Sequence, residues 1–340
     1  MKCERRGSIL FVILWILAIL SVLAVSLGYN VRQKIGFVSH LKDKDEVYLI
    51  SLAGLNRAIV QLKMEKKIKE KKQVEYDSLK DSWSNSSESF KEIPVGKGSF
   101  SINYQYTLPG AEPLIRFGIM DEERKININK AEQNVISLLF QKVCELDQPQ
   151  AGAIADSIID WRDLDEEPLS QGAESNFYQG LESPYKCKNA PFEAVEELLL
   201  VKGMGEEIFS RVKDYITVYT QGKVNINTVS FFVLYSLGLG EELINKIIEF
   251  RFGSDAIEAS SDDNVFTSAL NIISELSAFC DLSFEEEINL NNLIVGELIA
   301  VSSDNFMIKS EARLDKKNIR CKIICVFEAK NGIIKYVNSQ

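Results

Sequence analysis

The residues best suited to chemistry in this 340-residue sequence are carboxylates in the middle of the chain. Asp163, Asp165 and Glu167 stand at alternate positions of a predicted loop, and Glu174 follows further on. This spacing matches positions 1, 3, 5 and 12 of a calcium-binding loop, in which oxygen ligands surround a hard cation. Pro168 stands where an EF-hand requires its turn glycine, so the sequence predicts a calcium loop of another design. A solvated acidic loop without a metal is the alternative.

The other residue types argue against several kinds of function. The one histidine, His40, lies far from the acidic loop, which argues against a Ser-His-Asp triad and against a histidine-ligated metal. Asp160 and Asp163 are paired carboxylates, but no further catalytic motif accompanies them, so no enzyme is predicted. The net charge of −10, with acidic residues concentrated in the middle, argues against nucleic acid as a partner.

Six cysteines are present, and Cys3 is the first of them. Cys321 and Cys325 are four residues apart on a predicted strand, which separates them by about 13 Å, too far for a mutual disulfide. Free thiols and one or two disulfides both remain open for the five cysteines after the first, which are Cys144, Cys187, Cys280, Cys321 and Cys325.

An uncharged apolar stretch stands near the start of the chain. Between Arg6 and Arg32 no residue is charged, and Ser8 to Leu27 is almost wholly apolar. About 20 such residues in a helix cross the roughly 30 Å hydrocarbon core of a bilayer, and the basic residues before them favour a cytoplasmic N-terminus. An uncleaved anchor is one interpretation, and signal-peptide cleavage after Ser26 is another.

The hydrophobic pattern predicts the elements that position the acidic loop. Helical spacing continues from Val31 to about Val74, as an amphipathic helix outside the lipid. Alternating residues predict short strands within residues 98–128 and three more within 306–337, while the block between them is chiefly helical. The predicted fold class is α+β, with a long N-terminal transmembrane and amphipathic helix, a pilin-like α/β roll with an antiparallel sheet, and a large helical domain inserted between the strands.

A Lys-x-Asn-Ile-Asn sequence occurs twice in this region, at residues 125–129 and 223–227. Each copy precedes a predicted helix. Asn129 and Thr228 are predicted to cap those helices, because their side chains can accept a hydrogen bond from a first-turn N–H group.

Two segments of the insertion resemble helix-hairpin-helix units, 200–205 and 237–240, each with a glycine pair before a helix. In DNA-binding versions the backbone N–H groups of the turn hold a phosphate. Glu206-Glu207 and Glu241-Glu242 follow the two turns directly and would repel a phosphate. Compact hairpins packed in a core are therefore favoured, and a membrane-anchored DNA-uptake receptor is the alternative from a different class.

Gly7 separates the basic pair Arg5-Arg6 from the apolar stretch, and this start resembles the prepilin leader of type IV pilins and type II secretion pseudopilins. The resemblance implies cleavage between Gly7 and Ser8, with methylation of the new N-terminus. The fifth mature residue, usually glutamate in that family, would be Val12. A carboxylate in hydrocarbon is unfavourable unless it is paired, and ordinary subunits pair it with the terminal ammonium of the preceding subunit. Val12 therefore fits a tip subunit that has no subunit before it.

The most specific resemblance lies in the middle block. It comprises 160–168 (Asp-Trp-Arg-Asp-Leu-Asp-Glu-Glu-Pro), Gly172-Ala-Glu174, Tyr185 followed by Asn189 and Pro191-Phe192, and then Glu196-Glu197-Leu198. On these motifs the chain resembles the GspK group, the large minor pseudopilins of the type II secretion system. The group binds calcium in its helical domain, and the resemblance therefore supports a metal at the acidic loop. Trp161 is expected to anchor that loop in the core.

The resemblance also implies an organisation and a role. The predicted segments are a leader (1–7), a transmembrane helix (8–30), the pilin-like helix and first strands (31–128), the inserted helical domain (129–280) and C-terminal strands that complete the sheet (281–340). The implied role is a non-enzymatic tip component of the periplasmic pseudopilus that drives protein export across the outer membrane. The implied surroundings are the inner membrane with a single pass, GspI-like and GspJ-like minor pseudopilins, the prepilin peptidase and the major pseudopilin filament. A type IV pilus minor pilin is a further alternative.

Overall fold

A computed structural model describes residues 6–106, 114–255, 257–260, 262–315 and 317–340, with side chains described from residue 9. The helices are α1 Arg6–Lys72, α2 Ser87–Phe90, α3 Gln133–Cys144, α4 Gln148–Arg162, α5 Ser175–Gln179, α6 Glu206–Val212, α7 Phe231–Ser236, α8 Glu241–Phe252, α9 Ile272–Ser277 and α10 Phe284–Val295. The strands are β1 Ile93–Val95, β2 Gly98–Ile102, β3 Tyr104–Tyr106, β4 Leu114–Arg116, β5 Met120–Asp121, β6 Ile126–Asn127, β7 Ile216–Thr217, β8 Val224–Asn225, β9 Ile299–Ala300, β10 Asn305–Leu314, β11 Arg320–Glu328 and β12 Ile333–Ser339. Short 3-10 helices cover Val195–Leu200, Lys213–Tyr215 and Ala269–Asn271.

Helix α1 contains 67 residues and is about 100 Å long. Its first part is long and apolar enough to cross a membrane, and the large side chains there are exposed. From Val47 onward one face packs on the sheet, and at Gly54 a Cβ would collide with Phe100 and Ser310. Residues 1–5 of the predicted leader lie outside the described residues. The backbone at the predicted Gly7-Ser8 cleavage site is part of α1.

The main sheet has the order β1-β2-β10-β11-β12, with β5 also paired to β10, and all of its pairings are antiparallel. One face of β10 and β11 is buried against α1, because alternate residues along these strands are apolar or small. The long helix, the two sets of strands and the helical block between them confirm the predicted α+β class.

The inserted region has its own core, separate from the cluster between α1 and the sheet. Leu290 and Leu293 of α10 belong to this helical core, as does Val301. The helical domain therefore extends past residue 280, the limit predicted from the sequence, to about residue 301. The sequence placed the limit too early because the polar residues around α10 obscure its buried positions.

Two copies of one local arrangement build the helical domain. In the first, β6 and β7 pair in parallel, and in the second β8 pairs in parallel with β9. The Asn129 side chain accepts from the Phe192 N–H group and donates to the Phe192 carbonyl, at 2.8 and 2.9 Å. Asn227 does the same with Phe266, at 2.9 and 3.0 Å. In both copies, the last asparagine of the Asn-Ile-Asn sequence thus fixes a distant loop next to the strand that begins the sequence.

This arrangement corrects the predicted helix caps. Asn129 bonds to Phe192 rather than to the start of α3, whose N-cap is Glu132. Thr228 donates to Asp121, and the N-cap of α7 is Ser230. Both residues lie too far ahead of their helices because a short turn follows each Asn-Ile-Asn sequence.

The glycine pairs form the predicted hairpin turns. Gly203 and Gly238 have φ values of +83° and +88°, a conformation that favours glycine. Each turn leads into a helix, α6 or α8, that begins with two glutamates, Glu206-Glu207 or Glu241-Glu242. Two glutamates therefore directly follow each turn at which a DNA-binding hairpin would hold a phosphate. All five cysteines of the described residues are free thiols.

Candidate metal centre

Helix α4 delivers the first carboxylate of the acidic loop. The Asp147 side chain caps its N-terminus by accepting from Gln150 N–H at 2.9 Å. At the other end, the Arg162 guanidinium donates to the carbonyls of Ile128 and Ala131 and fixes the last turn to the strand β6 region. Asp160 lies in that last turn and is fully buried.

Three carboxylates converge where α4 ends. Asp160, Asp163 and Glu174 each offer an oxygen, and these oxygens lie within 4.8 Å of one another. We call these three residues the carboxylate cluster. Asp163 ends α4, and Glu174 directly precedes α5 with 3% of its surface exposed.

Several oxygens at this site lack a donor. Asp163 Oδ1 and both Glu174 carboxylate oxygens are buried with no hydrogen-bond partner in the described part of the chain, and so is Asn189 Oδ1. The Asn189 amide donates to the Asp165 carbonyl at 2.7 Å, which fixes its orientation. Buried acceptors without donors are unfavourable, and native proteins rarely keep several together. A set of carboxylate and amide oxygens is the donor set that Ca²⁺ prefers, so these residues fit the ion.

The loop wraps around the carboxylates of α4. Leu169 N–H donates to Asp160, and Gln171 N–H donates to Asp156 Oδ2 at 3.1 Å. A Cβ at Gly172 would overlap the Asp160 carboxylate, so this close approach requires glycine. Asp156 and Asp160 therefore shape the loop, while Asp163 and Glu174 keep free oxygens.

The structure brings together two of the four predicted ligands, Asp163 and Glu174. Asp165 and Glu167 are exposed and lie outside the carboxylate cluster. Asp165 Oδ1 instead accepts from the Glu167 N–H group at 2.8 Å in a local turn. The sequence missed Asp160 as a cluster member, although its spacing of three residues from Asp163 on a helix would have placed the two side by side.

Trp161 anchors the loop as predicted. It is 3% exposed and contacts Tyr178 edge-to-face, with ring centroids 5.1 Å apart. Tyr185 and Phe192 complete the aromatic group, with centroids 6.2 and 6.5 Å from Trp161. The carboxylate cluster therefore rests on a rigid aromatic core.

Burial dominates the electrostatics of the cluster. It raises the pKa of Glu174 to about 7. The adjacent Cys187 thiol opposes this shift, while the neighbouring Asp160 and Asp163 add to it. The pKa values of Asp160 and Asp163 are also raised, mainly by burial. Burial raises the pKa of the Cys187 thiol to about 12, so the thiol stays protonated at neutral pH in the metal-free chain.

This pKa of about 7 for Glu174 predicts how stability changes with pH. The folded metal-free chain holds the Glu174 proton up to about pH 7, whereas the unfolded chain loses it near pH 4.5. The Glu174 contribution to stability should therefore fall as pH rises from about 4.5 to 7 and then level off. Calcium requires the ionised carboxylate, so its stabilising effect should be small near pH 5.5 and full near pH 8.

Thermal melting at several pH values, with calcium or with a chelator, measures both effects. The control is Glu174→Gln, in which the group cannot titrate. In chelator, the difference in melting temperature between the unmodified chain and Glu174→Gln should shrink as the pH is lowered. A constant difference from pH 5.5 to 8 would show that Glu174 does not titrate in this range.

A second acidic group lies in the loop after α8. Asp255, Asp262 and Asp263 each place an oxygen within 4.8 Å of the others. Donors of the same loop already satisfy it: Asp262 accepts from Ser254 N–H and Oγ at 2.8 and 2.6 Å, and Asp263 accepts from Ala259 N–H. The carboxylate cluster is therefore the better candidate for a metal.

The fold and the site together define a class of protein. A long N-terminal helix packed on an antiparallel sheet is the pilin-like arrangement, here with a helical domain inserted between the strands. A chain in the crystal structure of the GspK-GspI-GspJ complex from enterotoxigenic Escherichia coli shares this fold, with a TM-score of 0.66 and 14% identity. The match covers 89% of this chain and 99% of that chain.

The sequence comparisons all point to one family. Residues 116–221 match the family model described as type II secretion system (T2SS), protein K. The type II secretion system protein K of Aeromonas hydrophila is 24% identical over 239 residues, which cover 67% of this chain and 69% of the relative. The Klebsiella pneumoniae protein K is 35% identical over 75 residues, 22% of this chain and 23% of the relative. Together with the shared fold, these matches support a minor pseudopilin of the protein K family of type II secretion systems.

Proposed function

We propose that this minor pseudopilin is the tip-most subunit of a periplasmic pseudopilus that drives export across the outer membrane. The position of the helical domain carries the proposal. Asp77 follows the C-terminal end of α1, opposite the apolar end, and its N–H group donates to the Val301 carbonyl at 2.9 Å. Asn225 of the helical domain donates to the Asp77 carbonyl at 3.1 Å. The helical domain thus lies beyond the end of α1, where it would block a further subunit.

The residue at position 12 supports the same location. Val12 replaces the glutamate that ordinary pseudopilins pair with the terminal ammonium of a preceding subunit. A subunit without a predecessor has no such ammonium, and an unpaired carboxylate in the membrane would be unfavourable. An apolar side chain avoids this penalty.

The membrane-anchored DNA-uptake receptor and the type IV pilus minor pilin find no support in the family matches.

The proposed partners are two smaller minor pseudopilins, similar to GspI and GspJ, and the major pseudopilin filament. Co-expression with the two smaller subunits of the same secretion system tests this part of the proposal. A tip complex should purify with one copy of each subunit, as measured by native mass spectrometry. Recovery of the chain alone, or in several copies per complex, would contradict it.

We also propose that the first helix is anchored in the inner membrane after a prepilin peptidase removes the leader. The basic residues before the apolar stretch support an orientation with the bulk of the chain in the periplasm. The mature chain should begin at Ser8, with a methylated N-terminus, as measured by mass spectrometry of the N-terminal peptide. Gly7→Leu should leave the precursor intact. A mature chain that starts at Met1 or after Ser26 would contradict prepilin processing.

Calcium is the proposed ligand of the carboxylate cluster. Asp160, Asp163 and Glu174 would hold it, and Asn189 would supply a further oxygen. The support comes from the unpaired buried oxygens described above. The bound ion would neutralise their mutual repulsion and tie the end of α4 to the start of α5, which stabilises the helical domain.

A further inference from the structure

The part of the helical domain after α8 has an unusual charge distribution. The 57 residues between Arg251 and Lys309 contain no lysine or arginine and eleven aspartates and glutamates. Helix α10 lies within this segment. The surface of this segment is therefore acidic, and the segment has no basic residue of its own to neutralise it.

Helix α10 is firmly held. Ser283 and Glu286 form a capping box at its start, in which Ser283 N–H donates to the Glu286 carboxylate at 2.7 Å. Lys246 of α8 forms an ion pair with Glu286 at 2.8 Å. Leu290 and Leu293 bury the inner face of α10 in the helical core. The opposite face is thus presented on a rigid element.

That opposite face carries an apolar stripe. Phe284, Ile288 and Val295 are 79%, 42% and 73% exposed. Their spacing of four and seven residues places them on one side of the helix, along about 16 Å. Large apolar side chains aligned in this way are typical of a surface that a second helix covers.

Carboxylates border the stripe. Asp281, Glu285 and Glu287 form no ion pair in the described part of the chain, whereas Glu286 is paired with Lys246. An apolar face bordered by unneutralised carboxylates complements an apolar face bordered by lysine or arginine. It repels both anionic lipid and nucleic acid.

We propose that this face of α10 binds a basic amphipathic helix of another protein. We call Phe284, Ile288 and Val295, with Asp281, Glu285 and Glu287, the α10 docking face. The stripe supplies the apolar contact and the carboxylates supply orientation and selectivity. This binding site is additional to the proposed contacts within the pseudopilus, and it can fail without affecting them.

Hydrogen-exchange mass spectrometry of the full-length chain in phosphatidylcholine nanodiscs tests the proposal. The probe is an 18-residue peptide of leucine and lysine whose leucines recur at helical spacing, and the reference is a scrambled peptide of the same composition. The helical probe should protect the amides of residues 284–295, and more salt should weaken the protection. The scrambled peptide should give little protection there.

The double variant Phe284→Gln/Val295→Gln removes the stripe while it keeps every charge. It should bind the helical probe at least tenfold more weakly than the unmodified chain. The matched control is Leu164→Gln, since Leu164 is 87% exposed but lies on the acidic loop, away from α10. Equal protection by both peptides, protection that survives the double variant, or protection that appears without peptide as the chain self-associates would each overturn the proposal.

Discussion

Replacement of Glu174 by glutamine should abolish most of the stabilisation that calcium gives the folded chain. At a hundredfold excess over Kd, a ligand that binds only the folded state stabilises it by about 3 kcal/mol. Both Glu174 oxygens are buried and lack a donor, so this carboxylate has the most to gain from a cation. Glutamine keeps the shape but removes the charge. The metal-free variant should therefore melt at or above the temperature of the metal-free unmodified chain, because a buried charge is gone.

The matched control is Glu167→Gln. Glu167 belongs to the calcium loop predicted from the sequence, but it is exposed and lies outside the carboxylate cluster. Thermal melting with calcium and with a chelator should show the full shift for this variant and almost none for Glu174→Gln. If Glu167→Gln loses the shift and Glu174→Gln keeps it, calcium binds to the exposed part of the loop and not to the carboxylate cluster. If calcium shifts neither variant nor the unmodified chain, the acidic loop is only solvated.

Replacement of Asp121 by alanine should destabilise the junction between the sheet and the helical domain by about 4 kcal/mol. Asp121 is buried in β5, and its Oδ2 accepts from Thr228, Ser303 and Asn225 at 2.5, 2.7 and 3.2 Å. Its Oδ1 accepts from Glu123 N–H at 2.8 Å. Asn225 still donates to the Asp77 carbonyl and to Ser303 in this variant. Alanine leaves Ser303 and the Glu123 N–H group without an acceptor, and Thr228 with only a long contact to the Asn225 carbonyl. Each unpaired buried donor is unfavourable by roughly 1–3 kcal/mol.

Thermal melting of the full-length chain in detergent measures this effect, with an expected decrease on the order of 10 °C. Asp121→Asn keeps one acceptor oxygen and should therefore be milder. The control is Asp304→Ala. The Asp304 carboxylate is half-exposed and lies 3.9 Å from Lys66, so its loss should change stability by less than about 0.5 kcal/mol. Equal effects of Asp121→Ala and Asp304→Ala would show that the buried network does not hold the junction.

Much of the fold could be predicted because its signals are periodic. The uncharged stretch and the helical spacing after it predict α1, and alternation predicts β10, β11 and β12, which the structure places at Asn305–Leu314, Arg320–Glu328 and Ile333–Ser339. Polar residues whose hydrogen-bond partners lie far away in the sequence give no periodic signal. Asn129 and Thr228 are of the residue types that commonly cap helices, but their side chains form hydrogen bonds to residues far away in the sequence.

The carboxylate cluster could be predicted only in part. A loop has no periodicity that reveals which of its side chains face inward, so Asp163 and Glu174 could not be told apart from the exposed Asp165 and Glu167. Asp160 belongs to the cluster because α4 continues to Arg162 and places Asp160 beside Asp163. Gly172 permits the loop to close on Asp160, a role that depends on tertiary contact and not on local sequence.

Location of the chain in assembled filaments tests the central claim most directly. A gold-labelled antibody against the helical domain, applied to pseudopili sheared from cells that overproduce the major pseudopilin, shows where the chain lies and how many copies are present. A tip subunit should give a single label at one end of each filament, and cells that carry a deletion of this chain should give none. Labels spaced along the filament, or filaments of normal number without an end label, would contradict the assignment to the tip.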